Sequence, residues 1–238
     1  MSYKWLIFLV FLFWGCQDNY DLPLSEARTA MQEEDYAKAL PLIEQVLAQT
    51  DQNDVAYNLR GSLYFAEGRH AEALEDFSAA IALNPKEYKY LLNRGHAHHA
   101  LNDLTKALDD YSAALDLNGN EADIYLNRGI VLLKTQQDKM ALADLNRSIN
   151  LNKSNAAAFY YRALIHRQSD NLSAARDDLQ RALVLDSNHG KAHFELALID
   201  LTTAPSDPPE TLCLHLNRAE ALGETRAAPY IAQWCKDR

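Results

Sequence analysis

This chain has no nucleophile elbow, no glycine-rich phosphate loop and no HExxH pair, so no familiar catalytic motif announces an enzyme. It is also short of basic charge: 23 Lys and Arg stand against 33 Asp and Glu, a net charge of −10. A nucleic-acid partner needs clustered cations to meet its phosphates, so none is expected. No Gly/Ser-rich or charge-block linker interrupts residues 20–224, which argues for one continuous array rather than two domains. The apolar run from Trp5 to Trp14 is too short to span a bilayer comfortably. No alanine precedes Ala27, so the Ala-x-Ala pattern of ordinary signal cleavage is missing as well.

What the chain does have is a period. A small residue recurs as Ala27, Gly61, Gly95, Gly129, Ala163 and Ala197, each 34 after the last. A second series, Ala39, Ala73, Ala107, Ala141 and Ala175, keeps the same step. Units fall at 20–53, 54–87, 88–121, 122–155, 156–189 and 190–224, followed by a C-terminal capping helix at 225–238. Each unit holds two helical stretches around a polar break, as with Val55 to Ala66, Glu67-Gly68-Arg69, and His70 to Leu83. Asn84-Pro85 closes that unit, because proline disfavours helix at the residue before it and cannot continue one. Apolar residues keep helical spacing, as in Leu104, Ala107, Leu108, Tyr111, Ala114 and Leu115. Glycine is costly inside a helix, so its return at one phase points to close helix approach.

These positions resemble the tetratricopeptide repeat. The resemblance rests on Tyr57, Gly61, Tyr64, Ala73, Phe77, Ala80 and Pro85, and on their counterparts Leu91, Gly95, His98, Ala107, Tyr111 and Ala114. It continues through Tyr125, Gly129, Leu132, Ala141, Leu145 and Ser148, then Phe159, Ala163, His166, Ala175, Leu179 and Ala182. It implies an all-α, right-handed solenoid of about six helix-turn-helix units. The ends are atypical, as capping units are. Pro23 takes an aromatic's place, Pro41 lies inside a helix, and Ala204-Pro-Ser-Asp-Pro-Pro209 lengthens the last turn.

The leader is of another kind. Gly15-Cys16 ends the apolar run and resembles the lipobox of bacterial lipoproteins, though Phe13 and Trp14 depart from the usual motif. That resemblance implies a signal peptide at 1–15, a lipid on Cys16, a tether at 16–19 and repeats held outside the cytoplasm at a membrane. The four-residue tether reaches about 14 Å when extended, keeping the array near the bilayer. Cys213 and Cys235 then remain; they either form a bridge stapling the cap to the last repeat or are buried free thiols.

Arg60, Arg94, Arg128 and Arg162 share one phase, and Asp76, Asp110, Asp144 and Asp178 follow each by sixteen. Four identical copies speak for architecture, with each Arg pairing to the Asp of its own unit. His96 and His99 share a helix face, but no third ligand at suitable spacing supports a metal. His98 takes the place of Tyr64 and is expected to pack.

The resemblance also implies a concave, peptide-binding face. By place in the unit it comprises Asn58, Ser62 and Phe65; Lys89, Leu92, His96 and His99; and Leu126, Ile130 and Leu133. Tyr160, Leu164 and Arg167 follow, then Phe194, Leu198 and Leu201. Leu92, Leu126, Tyr160 and Phe194 form an apolar stripe, which is either an exposed groove or surface buried against the next unit and the cap. Asn93 and Asn127 match part of the carboxylate-gripping set of some relatives, without its basic partners. The expected function is a non-enzymatic interaction scaffold or assembly factor of the bacterial envelope, without cofactor, binding an envelope or outer-membrane protein. The alternative is an accessory or catalytic subunit of an envelope enzyme, using the C-terminal loop and cap.

Overall fold

A computed structural model describes residues 20–204 and 209–235 of the chain. The leader, the tether, Cys16 and most of the 205–209 loop lie outside the described residues. Helices come in antiparallel pairs. The first pair is α1 (Asp21–Gln32) with α2 (Tyr36–Leu47), and the second is α3 (Asp54–Ala66) with α4 (His70–Leu83). Then come α5 (Tyr88–Ala100) with α6 (Leu104–Leu117), and α7 (Ala122–Lys134) with α8 (Asp138–Leu151). The fifth pair is α9 (Ala156–Gln168) with α10 (Leu172–Leu185); the sixth is α11 (Gly190–Thr203) with α12 (Thr211–Ala221). A 3₁₀ turn (Thr225–Ala227) and α13 (Ala228–Trp234) finish the chain. The terminal helix is thus shorter than the sequence suggests, because Pro229 lies in its first turn, where proline starts a helix well. Each helix packs on the next in sequence, and the result is an all-α solenoid.

The small residues sit where the two helices of a pair cross. A Cβ on Gly61 would lie 2.8 Å from the Phe77 ring, and one on Gly95 would lie 2.6 Å from Tyr111. At Gly129 the neighbour is Leu145, at 3.1 Å, and at 163 an alanine stands opposite the same kind of residue, Leu179. Glycine is therefore needed where the facing residue is aromatic.

The turn inside each pair uses a left-handed residue. Glu34, Gly68, Asn102, Gln136 and Asp170 have φ between 59° and 77° and stand 34 residues apart. Only Gly68 adopts that conformation without steric cost. In the sixth pair Ala204 at the same place has φ −141°, and the loop runs on to residue 209.

Arg60, Arg94, Arg128 and Arg162 each grip the Asp of their own unit through two hydrogen bonds of 2.6–2.9 Å. The bidentate fork fixes the angle between paired helices. Three of these arginines also donate backward to the preceding unit: Arg94 to Ser78, Arg128 to Ser112 and Arg162 to Asn146. The ladder therefore ties units together as well as helices.

Candidate functional site

The first helices of successive pairs stand side by side, and this row carries the groove residues. Where two such helices meet, the stripe is covered. Leu126 is 9 %, Tyr160 6 % and Phe194 3 % exposed, and Leu92 is half-buried. This corrects the exposed-groove alternative for the stripe. Tyr160 packs at 4.6 Å against the ring of His189, which caps α11. Phe194 lies under Tyr230 of α13, 5.6 Å away, with the Arg226 guanidinium 4.7 Å above it. Tyr160 and Phe194 are thus covered by the elements that follow them in the chain, the start of α11 and the α13 segment. Leu164, Ile130 and Leu133 pack against the same central cluster, and Leu198 and Leu201 against the terminal one. Arg167 is exposed, and its Nε lies 2.9 Å from Glu195. Burial pushes the Glu195 carboxyl up, partly offset by Arg167 and Arg226.

The open part of the concave face lies over α3, α5 and α7. A pocket of about 530 Å3 is lined by Phe65, His96, His99, Ala100, Asn127 and Lys134. A smaller one of about 180 Å3, lined by Ser62, Phe65, Phe77, Asn93 and His96, adjoins it through the shared Phe65 and His96. The structure thus brings together Phe65, His96 and His99 from the expected set. Asn58 is close by, its Oδ1 accepting from Asn93 at 2.8 Å, whereas Lys89 is exposed beside the Tyr88 ring.

Sequence reasoning missed Lys134. It follows Leu133 on α7, and its Nζ lies 2.6 Å from Nε2 of His99. Alanine at the corresponding place on α5, Ala100, leaves room for it. Burial and Lys134 together push the His99 imidazole below its ordinary pKa, so it accepts from the ammonium. Burial and then His99 push His96 down too, with Asp123 opposing, and its ring sits edge-on to Tyr111. Among the described residues no acidic side chain lines either pocket, although the chain carries 33 of them. A cation, an amide and an aromatic face can take an acidic or carbonyl-bearing segment of another chain there.

His98 sits 3.9 Å from Asp110, at the edge of the Arg94–Asp110 pair, and fills the helix contact expected of it. Cys213 and Cys235 are bonded to each other, with Cα atoms 5.6 Å apart. Among the described residues, no helix is long and apolar enough to cross a membrane.

The tetratricopeptide repeat family model matches residues 24–88, 59–124, 92–149 and 126–190. The chain belongs to the tetratricopeptide repeat family. Over 65 residues it is 35% identical to a heat-shock protein cognate (HSC) co-chaperone, sgt12, of Aspergillus fumigatus. That stretch is 27% of this chain and 19% of the co-chaperone, so the likeness is one of repeats and not of whole proteins. A chain of the crystallised APC/C hetero-tetramer superposes with a TM-score of 0.79 at 18% identity, over 91% of this chain and 43% of that one. Pseudomonas aeruginosa pilF also gives a TM-score of 0.79, at 14% identity, over 90% of this tetratricopeptide protein and 97% of pilF. YrrB, described as a tetratricopeptide protein with an unusual peptide-binding site, gives 0.63 at 18% identity over 80% of this chain and 97% of its own. At these identities the likeness shows the fold alone.

Proposed function

We propose that this tetratricopeptide protein is a non-enzymatic interaction scaffold or assembly factor of the bacterial cell envelope. Its concave face over α3, α5 and α7 takes an extended, carboxylate-bearing segment of a partner polypeptide. The observation that carries this reading is the acid-free pocket around Lys134, His99 and Phe65 in an otherwise acidic chain. In the covered half of the row Tyr160 and Phe194 are themselves buried. The envelope location rests on the apolar run ending at Gly15-Cys16, which supports export, lipidation of Cys16 and an envelope or outer-membrane protein as partner.

The test is Lys134→Glu combined with Phe65→Ser in a crosslinking pull-down from membrane extracts. Both side chains are partly solvent-facing, so the far-UV spectrum should stay that of the parent while the partner is lost. Retention of every partner by a folded double variant would remove the groove from the account. Separately, Cys16→Ala should abolish labelling by a fatty-acid analogue; unchanged labelling would place any anchor elsewhere.

A further inference from the structure

The end of the array is closed by a helix that is poorly held on its own. α13 has seven residues, and none of them is fully buried. A helix of that length is unstable in water without tertiary support, since isolated helices below about 12–15 residues are marginal. Its support has two parts. One is a single face, Tyr230, Ile231 and Trp234, half-buried against the cluster around Phe194, Leu212 and Leu216. The other is covalent: Cys235, directly after the helix, is bonded to Cys213 on α12. The preceding turn adds one fully buried but small side chain, Ala227, while Arg226 lies over Phe194 and its ion pair with Glu224 is half-exposed on the arginine side. Both cysteines are themselves only half-buried, so a small dithiol can reach the bond.

What α13 covers is the last groove-row helix. Phe194 is 3 % exposed with α13 in place, and Leu198 and Leu201 belong to the same covered cluster. At Tyr160 the start of the next repeat performs this covering through His189, and it does so without a covalent tie. Only at the end, where no further repeat follows among the described residues, is the cover fastened by a disulfide.

We propose that the Cys213–Cys235 bond is a redox-operated latch on α13. A dithiol reductant delivers two electrons and two protons to the sulfurs, leaving two cysteine thiols and becoming a disulfide itself; no other bond changes. Once the bond is open, α13 leaves α11 and uncovers Phe194, Leu198 and Leu201. The concave face then lengthens toward its C-terminal end for the partner segment proposed above. That last step rests on the groove reading, whereas the release of α13 does not.

Trp234 lies in α13, and the other tryptophans are Trp5 and Trp14 in the leader. The full chain in detergent, carrying Trp5→Phe and Trp14→Phe, therefore reports α13 by tryptophan emission. Treatment with a water-soluble dithiol, checked by the appearance of two titratable thiols, should red-shift the emission while nearly all helical signal remains. Cys235→Ser should show the shifted emission without reductant. Unchanged emission after full reduction would overturn the latch, and so would collapse of the whole helical signal, which would make the bond a structural staple. A photo-crosslinking residue at position 198 then separates the two claims. Capture of the partner only after reduction supports the lengthened groove. If the emission shifts but position 198 never captures a partner that position 99 captures, the latch stands and the lengthening falls. If neither position captures it, the groove reading itself fails.

Discussion

From α3 to α10 nearly every coupling is copied at a step of 34 residues; from α11 onward the small residue Ala197 persists but the fork and the left-handed turn stop. The inner units carry the Arg–Asp fork, the left-handed turn and the small residue under its facing side chain. In the sixth unit Leu196 and Leu212 stand where the fork would be, both buried. Ala204 has left the left-handed region, and Asp200, fully buried, pairs with Arg176 and accepts from Thr211 instead. The disulfide is added there too. An inner unit meets a copy of itself on each side, so one coupling serves every junction. The end meets a different neighbour and uses devices made once.

The comparison breaks most severely if the buried stripe is charged. Leu126→Asp with Tyr160→Asp places two carboxylates in the central cluster, at a cost of several kcal/mol each. Together they exceed the stability of an ordinary domain, about 5–15 kcal/mol, or consume most of it. Circular dichroism should show loss of helix at room temperature; a cooperatively folded double variant would return the stripe to the surface.

The fork and its apolar replacement can be exchanged. Arg128→Ala leaves Asp144 buried without its partner and should cost about 3 kcal/mol in denaturant unfolding. Arg128→Leu with Asp144→Leu copies the sixth unit and should recover to within about 1 kcal/mol of the parent. If the pair of leucines is as damaging as the single alanine, the backward bond to Ser112 matters more than the fork.

Two glycines at one phase should differ. A methyl group at Gly95 meets the Tyr111 ring, so Gly95→Ala should destabilise by about 2 kcal/mol. Gly129→Ala meets Leu145 at a looser distance and gains helix propensity, so thermal unfolding should shift little. Equal penalties at both sites would mean that the facing side chain does not decide the need for glycine.

The smallest effect expected is a gain. Gln136 holds φ 60°, a conformation that glycine enters freely. Gln136→Gly should stabilise by about 0.5 kcal/mol, the relief of left-handed strain less the entropy glycine loses on folding. A loss of stability would show that the glutamine side chain contributes to the turn.

The repeat was legible because it is written in small residues and in charges that recur at fixed phase. Gly61, Gly95 and Gly129, and the four Arg–Asp partners, could be paired from spacing alone. The left-handed turn was not legible, since Glu34, Asn102, Gln136 and Asp170 share no side-chain chemistry with Gly68; only the backbone repeats. The backward bonds could have been found, because Ser78, Ser112 and Asn146 also stand 34 apart, but that signal is weak beside the arginines. The groove was half legible. Place in the unit put Phe65, His96 and His99 together, yet it could not say which side chains the next helix covers. That depends on how tightly the superhelix winds, a property of all the units at once. Lys134 escaped because its role depends on the small Ala100 one unit earlier.

Photo-crosslinking tests the central claim, that the partner docks over α3, α5 and α7, most directly. A photo-reactive residue replaces His99 in one variant and the exposed Val184, outside the pocket, in another. A covalent adduct with one partner polypeptide is expected from position 99 and none from position 184. An adduct from position 184 with none from position 99 would contradict the claim.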